Sequence, residues 1–409
     1  MVKGGDVTGK DSMSGERRFK TWNIFDGALV NNAAGHHYWE TKAVVDELIR
    51  RGETVRLFSH VDAPTAEEFP GAAIVPVFSL FLYQSISNDP TWSILENFIM
   101  HNRAFSSDLS KLDPSLFRDS LVLFPTVGEE QLLGIFRWLG ALPQENGPKV
   151  ALCLLPHRTA HSAGLYKTVW NDCPPALKEQ IALFGRTPQL AELYATTSGM
   201  PARVFPYPIP EDLMAARRSW AGGPDDPMVV SFVGGARLDR GADLIADVVR
   251  QCTGSGVRFF IQSQRGRDTT IDELGLAALS GLPHVRVHEG PLERPDYFRE
   301  MANSVVLLPY QPHQYRWRDS GVYHEAMFLD APVLVTAGTW MAEEVTSLGN
   351  GLVIEDHSAA AIVDSIARAQ RELPALRAAA AQAGQDARER HGVARCVDAV
   401  GGAFAPSGA

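Results

Sequence analysis

A Ser-Gly pair followed by a glutamate one helical turn later is the arrangement in this chain with the clearest chemical potential. Residues 317–336 read as a polar loop, a short helix and a buried strand. Ser320 and Gly321 stand at the start of that helix, and Glu325 lies within it. Backbone N–H groups at a helix start can bind an anion, and a nearby carboxylate can accept hydrogen bonds from hydroxyls. A nucleotide sugar offers both groups, so this segment predicts a site for such a ligand.

A second candidate site is the turn at residues 233–241, VGGARLDRG, which leaves a predicted strand and enters a predicted helix. Its glycines allow close backbone approach, and Arg237 and Arg240 can neutralise a diphosphate without a bridging metal. The turn is not a Walker loop, because it lacks Gly-Lys-Ser/Thr, and it is not Gly-x-Gly-x-x-Gly. The alternative is an ordinary solvated turn between a strand and a helix.

Length and composition restrict the class of protein. A chain of 409 residues with 45% apolar residues is too long for one ordinary core, so we expect two domains. The formal net charge of -10 argues against a general nucleic-acid-binding protein.

The cysteines and the apolar runs bear on location. The cysteines lack Cys-x-x-Cys spacing, which indicates structural thiols in a reducing cytoplasm. They are Cys153, Cys173, Cys252 and Cys396. Residues 1–18 have no apolar core, so we expect a mobile tail and no signal peptide. The longest apolar run, residues 72–83, is far below the ~20 residues of a membrane span, so any membrane contact is expected to be peripheral.

The order of elements predicts an α/β fold with two doubly wound domains. Short apolar runs at residues 121–124 and 150–155 are typical of buried parallel strands, and strands alternate with helices over residues 228–371. The predicted ranges are 1–18 for a tail, 19–206 for the N-terminal domain, 207–227 for a linker, 228–390 for the C-terminal domain and 391–409 for a second tail. Two such sheets place the carboxyl ends of their strands around a shared cleft, where ligands bind.

The residues around Glu325 also resemble the donor-site segment of retaining GT-B glycosyltransferases of the family 4 type, the "glycosyl transferases group 1" domain. The matching pieces are Ser320-Gly321-Val322, Glu325-Ala326-Met327 and Ala331-Pro332-Val333. The resemblance implies two Rossmann-like domains facing a cleft. It also implies transfer of a sugar from a nucleoside-diphosphate sugar to a hydroxyl, with retention and without a metal. The chain has no Asp-x-Asp, the motif with which GT-A enzymes typically hold a divalent ion.

The same resemblance implies roles for single residues in the donor site. Glu325 is expected to bind the ribose, although most helical glutamates are simply exposed on a surface. Arg240 falls on the lysine of a Gly-Arg…Lys-Gly turn that contacts the diphosphate. Gly235 stands where these enzymes have the arginine of that turn, and Arg237 follows two residues later.

The first of the family's two paired glutamates is missing, because Trp317 occupies its position. Asp319 is the nearest carboxylate on the amino side of Glu325, and it could hold donor-sugar hydroxyls or cap the helix. The loop at residues 310–318 mixes aromatic rings with arginines, which suit sugars and phosphates, or it shields the cleft. Leu292 is a candidate contact to the nucleotide base by resemblance, with ordinary packing as its alternative.

Two further candidates come from the N-terminal half. Gly35, in the loop at residues 31–37, NNAAGHH, is similar to the first glycine-rich loop of these enzymes, which faces the diphosphate and the acceptor. His157 follows a predicted strand at a place where the superfamily often has a histidine in the cleft. His161 and His36 are alternatives, and each of these histidines could instead be structural.

These considerations fix the expected site. The catalytic candidates are His157, Asp319 and Arg240. The donor-binding candidates are Gly35, Gly235, Arg237, Arg240, Leu292, Ser320, Gly321, Val322 and Glu325. We expect no metal and no cofactor beyond the nucleotide-sugar co-substrate, a glycan or other hydroxyl acceptor, and no nucleic acid. The rival hypotheses are a nucleotide-sugar 2-epimerase of this fold and a non-catalytic GT-B binding protein, and turnover distinguishes them.

Overall fold

The chain forms two parallel sheets covered by helices, so the predicted α/β class is confirmed. The structure is a computed structural model that describes residues 19–30, 36–89, 91–156, 160–209, 213, 226–265 and 274–405.

The N-terminal sheet has seven parallel strands. They are β1 (Thr21–Asp26), β2 (Thr54–His60), β3 (Ala73–Phe78), β4 (Leu121–Val127), β5 (Lys149–Leu154), β6 (Ile181–Gly185) and β7 (Ala202–Val204). Their order across the sheet is β3-β2-β1-β4-β5-β6-β7. The helices are α1 (His36–Arg50), α2 (Ser93–Leu109), α3 (Glu129–Ala141), α4 (Ala160–Asp172), α5 (Pro175–Lys178) and α6 (Pro188–Ser198), with a 3-10 turn at Pro114–Phe117.

Aromatic stacking fills the core on one face of this sheet. The Phe25 ring stacks on Phe58 and Phe124 of the neighbouring strands, with centroids 4.2 and 4.8 Å apart. Trp138 of α3 covers Phe25 at 5.5 Å. All seven residues of β4 are buried, as expected for a central parallel strand with helices on both faces.

The C-terminal half builds a second parallel sheet. Its strands are β8 (Val229–Phe232), β9 (Gly235–Ala236), β10 (Arg258–Arg265), β11 (Val285–Glu289), β12 (Val305–Leu308), β13 (Val333–Thr336) and β14 (Gly351–Ile354). Their order is β11-β10-β8-β12-β13-β14, with β9 paired to β10. The helices are α7 (Ala242–Gln251), α8 (Arg294–Ala302), α9 (Pro312–Tyr315), α10 (Gly321–Phe328), α11 (Trp340–Leu348), α12 (Ala359–Arg390) and α13 (Val393–Gly402), with 3-10 turns at Leu238–Arg240 and Ala277–Gly281.

Each sheet has one point where the direction of winding reverses between two hydrogen-bonded strands. In the first sheet this point lies between β1 and β4, and in the second it lies between β8 and β12. Open parallel sheets bind ligands at the carboxyl ends of such strands. Asp26, at the end of β1, and the turn that follows β8 therefore occupy the two positions where ligands are expected.

The last helix returns to the N-terminal domain. The sequence predicts a tail over residues 391–409, whereas Val393–Gly402 form α13, which packs on α1. Cys396 is buried in the same core as Trp22, and Arg51, which follows α1, forms an ion pair with Asp398. The apolar face of α13 was overlooked because alanine, glycine and charged residues dominate its surroundings in the sequence.

The apolar runs and the cysteines take ordinary structural roles. The run at residues 72–83 contains strand β3, and within the described residues no helix is long and apolar enough to cross a membrane. All four cysteines are buried free thiols. Residues 359–390 form one continuous helix, α12, which accommodates Pro374.

Candidate functional site

The turn after β8 brings one arginine against two tyrosines. The Arg240 guanidinium lies over the Tyr310 ring at 5.6 Å, and its Nε donates to the Tyr315 hydroxyl (3.4 Å). Gly234 (φ 89°) has no room for a side chain, because a Cβ there would lie 2.8 Å from Arg240 Nη1. Gly241 (φ 72°) starts α7, and a Cβ there would meet a backbone oxygen at 2.2 Å. Both glycines are therefore required by close approach and by positive φ.

Arg237 differs from Arg240 because an acidic side chain already neutralises it. Its Nε and Nη2 donate to the two carboxylate oxygens of Asp239 (2.9 and 3.0 Å). Arg318 donates to the same carboxylate (2.9 Å), and Arg237 also donates to the Tyr315 hydroxyl (2.9 Å). Asp239 therefore offsets much of the charge that Arg237 could offer to a diphosphate.

Gln262 of β10 connects this turn to the neighbouring loop. Its Oε1 accepts from the Gly234 N–H (2.9 Å), and its Nε2 donates to the Gly290 carbonyl (3.2 Å). The side chain is buried. Leu292, the proposed base contact, follows Gly290 and packs partly buried against the domain core. Sequence reasoning missed Gln262, although a polar residue inside the apolar strand β10 was a detectable signal.

Helix α10 positions Ser320 and Glu325 as the sequence predicts. Ser320 is the N-cap residue, and its hydroxyl accepts from the Tyr323 N–H (3.2 Å). The Tyr297 hydroxyl of α8 donates to Glu325 Oε2 (2.9 Å). Burial raises the pKa of the Glu325 carboxyl to about 7, although the Tyr297 hydrogen bond opposes that shift. Gly235 lies on the turn at residues 233–241, and Gly321 and Val322 lie at the start of α10.

Asp319 is held by a histidine and does not serve as the N-cap. Its Oδ1 accepts from the Ser320 N–H (2.8 Å) and lies 2.8 Å from His324 Nε2. Burial opposes ionisation of Asp319, but His324, the Arg186 charge and the Ser320 N–H together lower its pKa. The His324 ring stacks on Tyr207, with centroids 4.6 Å apart. Asp319 is thus fixed as a carboxylate by groups from both sides of the cleft.

Trp317 does not face the donor site. Its ring is partly buried against the aromatic core of the N-terminal domain, and its carbonyl lies 3.5 Å from the Thr187 hydroxyl. A second cross-domain contact places the Arg294 guanidinium 4.2 Å from the Trp39 ring. The position at which the sequence resemblance leads us to expect a glutamate is therefore used here for packing between the domains.

The N-terminal side of the cleft has a buried carboxylate that sequence reasoning missed. Asp26 accepts from the Ala28 N–H (3.0 Å) and the Thr41 hydroxyl (2.8 Å). His37 Nδ1 lies 4.0 Å from Asp26 Oδ1, and His37 Nε2 lies 2.7 Å from the Tyr83 hydroxyl. Burial raises the pKa of Asp26 to about 6, against the two hydrogen bonds it accepts. An apolar strand that ends in aspartate before a Gly-Ala turn was the available signal.

A buried ion pair within the N-terminal domain acts electrostatically on carboxylates of the other domain. Arg186, which follows β6, pairs with Glu40 of α1 at 2.7 Å, and both side chains are largely buried. The Arg186 guanidinium also lowers the pKa of Asp319 in the other domain. The Glu40 carboxylate contributes to the raised pKa of Glu325. Charged groups of the N-terminal domain therefore influence the pKa of carboxyls in the C-terminal domain.

Several predicted residues cannot be placed in this geometry. Gly35 and His157 lie outside the described residues, and nothing is described of the His36 and His161 side chains. Among the residues that the structure describes, no group of three or more His, Cys, Asp or Glu is arranged to hold a metal ion.

Comparison with known proteins identifies the fold class. No family model and no curated protein sequence matches the chain. A sucrose-phosphate synthase from Thermosynechococcus elongatus superposes with a TM-score of 0.65 at 14% identity, over 94% of this chain and 98% of that one. A trehalose-6-phosphate protein from E. coli, bound with UDP-2-fluoro glucose, superposes with a TM-score of 0.63 at 12% identity, over 93% of this chain and 99% of that one. Anabaena HepE, in complex with UDP and glucose, superposes with a TM-score of 0.58 at 13% identity, over 93% of this chain and 98% of that one.

These similarities extend over both parallel sheets and nearly the whole length of each chain. The chain has the GT-B fold. The fold class expected from the residues around Glu325 is thereby confirmed.

Proposed function

We propose that this protein is a glycosyltransferase that moves a sugar from a nucleoside-diphosphate sugar to a hydroxyl acceptor. The observation that carries the proposal is that Arg240, the Ser320 helix start and Glu325 lie together at the winding reversal of the second sheet. Arg240 and Val322 of the helix both approach Gly234. Tyr297, which donates to Glu325, is influenced by the Arg240 charge. A cation, the Gly321 and Val322 N–H groups of the helix start and a carboxylate match the diphosphate and the ribose of such a donor. The UDP ligands of two structures of this fold support a uridine nucleotide as the first donor to test.

The proposed mechanism assigns one task to each group. Arg240 and the N–H groups at the Ser320 helix start stabilise the diphosphate as the bond between it and the anomeric carbon breaks. Glu325 accepts from the ribose hydroxyls, and Asp319 accepts from hydroxyls of the sugar. The acceptor oxygen bonds to the anomeric carbon from the same face, and its proton passes to the leaving phosphate oxygen. His157 of the N-terminal domain is a further catalytic candidate, and this mechanism assigns it no proton transfer.

A donor screen tests the proposal directly. The protein is incubated with UDP-, GDP-, ADP- and dTDP-sugars, and release of the nucleoside diphosphate is measured with and without added saccharides. We expect one base to be strongly preferred and release to accelerate with an acceptor. Tight binding of a nucleotide sugar without any turnover would favour the non-catalytic alternative, and interconversion of two nucleotide sugars would favour the epimerase.

The transfer is expected to proceed without a divalent metal. Arg240 and the helix dipole supply the positive charge on the diphosphate, so excess EDTA should leave the initial rate within about twofold of the untreated rate. The measurement is the initial rate with the preferred donor, before and after chelation. Loss of activity that Mg²⁺ or Mn²⁺ restores would contradict this part of the mechanism.

Retention is the stereochemical prediction. An α-linked donor should give an α-linked product, because a leaving phosphate that takes the acceptor proton needs no separate base on the opposite face. NMR reads the anomeric coupling constant of the new linkage. A β-linked product would refute retention and would point instead to His37, next to Asp26, as the base.

The proposal also covers the acceptor and the cellular location of the protein. The acceptor is a glycan, a lipid-linked saccharide or another small hydroxyl compound, and nucleic acid is not a partner. Four buried free thiols support a reducing cytoplasm as the location, with peripheral contact to the inner face of a membrane.

A further inference from the structure

Exposed apolar side chains are concentrated on one segment of the N-terminal domain. Nine large apolar side chains are exposed among the described residues, and six of these lie within residues 86–100. These six, called the rim patch below, are Ile86, Trp92, Ile94, Leu95, Ile99 and Met100. Together they expose roughly 500 Å², if the full area of a large side chain is taken as about 150–250 Å². Soluble monomers rarely expose a contiguous apolar surface above a few hundred Å² without a function for it.

The two faces of helix α2 explain why the rim patch is unusual. Its inner face packs on α3 and β3 through buried residues such as Phe105. Trp92, Leu95 and Ile99 are spaced three and four residues apart, so they share the outer face of the first two turns. Further along, that face becomes polar and carries the exposed Arg103. The apolar outer surface is therefore confined to one end of the helix.

Hydrogen bonds hold the rim patch in place. Asn97 Oδ1 accepts from the backbone N–H groups of Ile86 (2.7 Å) and Ser87 (3.0 Å). Asp89 Oδ1 accepts from the Trp92 N–H (2.8 Å). The apolar side chains thus project from a pinned backbone, which lowers the entropy cost of docking.

The rim patch is continuous with the acceptor side of the cleft. The segment that carries it begins after β3, at the edge of the sheet where the carboxyl ends of the parallel strands lie. Tyr83 of the same segment contacts His37 near Asp26, and the Gln84 carbonyl lies 2.7 Å from His101 Nε2 of α2. A partner on the rim patch would therefore lie beside the acceptor position.

Charge and size indicate the chemistry of that partner. Residues 79–102 contain no lysine or arginine but include the acidic Asp89 and Glu96. Arg103 is the first cation further along the helix, so the rim patch carries no basic cluster that would attract an anionic surface. The exposed apolar area is below the roughly 800 Å² per partner of a standard protein interface. Trp92, the most exposed of the six side chains (59%), is of a type that favours the boundary between hydrocarbon and water.

We propose that the rim patch docks on a neutral lipid surface and presents a lipid-linked acceptor to the cleft. The identity of the acceptor rests on the proposed function, whereas lipid docking is measured without catalysis. Apolar insertion drives this docking, so it needs no anionic lipid.

The test is flotation of the full-length protein with vesicles of phosphatidylcholine alone and of phosphatidylcholine with phosphatidylglycerol. We expect wild-type protein to bind both vesicles about equally. The double variant Leu95→Glu/Ile99→Glu should bind at least tenfold more weakly. Val204→Glu is the matched control, because Val204 is also exposed (38%) but lies on the far edge strand β7, and it should bind like wild type.

Three results would overturn the proposal. They are wild-type protein that does not float, binding that requires phosphatidylglycerol, and a wild-type dimer that the double variant converts to monomer. Thermal melting checks that each variant is folded. Calorimetry with UDP is run in parallel: absent UDP binding with intact flotation would count against the proposed function alone.

Discussion

Replacing Arg240 with alanine is expected to weaken binding of the nucleoside diphosphate by about 2 kcal/mol, or roughly 30-fold in Kd, as loss of a charge-assisted contact should. The effect is large because the guanidinium lies against two tyrosines and forms no ion pair with a carboxylate within the part of the chain that the structure describes. Calorimetry with free UDP measures it. An unchanged Kd in a folded variant would remove Arg240 from the donor site.

Arg237→Ala is the matched control, because the two arginines lie on the same turn. Asp239 already neutralises the Arg237 guanidinium with two hydrogen bonds, so its removal should weaken UDP binding only about threefold. If Arg237→Ala equals or exceeds the effect of Arg240→Ala, then the ligand displaces Asp239 and both arginines bind the diphosphate.

Glu325→Gln is expected to weaken binding of UDP-glucose about tenfold at pH 8 and to reduce the dependence of that binding on pH. Burial raises the pKa of the Glu325 carboxyl to about 7 in the unliganded protein. The ribose hydroxyls bind the carboxylate better than the acid, so wild-type affinity should increase from pH 6 to pH 8. UDP-glucose is the suitable ligand, because its diphosphate does not titrate in this range.

Two controls isolate the Glu325 effect. Asp26 also titrates, with a pKa of about 6, but it is present in both proteins, so the difference between their pH profiles belongs to Glu325. The 2′,3′-dideoxy nucleotide lacks the hydroxyls that the carboxylate is expected to bind. If wild type and Glu325→Gln differ as much for that ligand as for the normal one, Glu325 does not bind the ribose.

The fold and part of the donor site could be predicted from the sequence because their signals are local. The Ser320-Gly321 start of α10 and the position of Glu325 follow from capping and helical spacing within one short segment. The turn at residues 233–241 follows from glycines and arginines between a strand and a helix. The N-terminal half is harder to predict, since β1 mixes polar and apolar residues and β6 is an apolar run of only five residues.

Pairing between distant side chains could not be predicted, since it depends on which residues the chain brings together. Arg237 shares the Asp239 carboxylate with Arg318, which is 81 positions away in the chain. Gln262 connects the loops at Gly234 and Gly290, each of which is 28 positions away from it in the sequence.

By itself, the sequence determined the α/β class, the two parallel sheets, the placement of Arg240 in the turn after β8 and that of Glu325 within helix α10, because periodicity and turn chemistry act over a few residues. Only the tertiary structure decided that Trp317 packs against the N-terminal core, that His324 holds Asp319 and that Asp26 lies at the other winding reversal. The physical reason is that burial and the proximity of charges set the orientation and pKa of these groups. Both properties arise only when separate segments of the chain pack together.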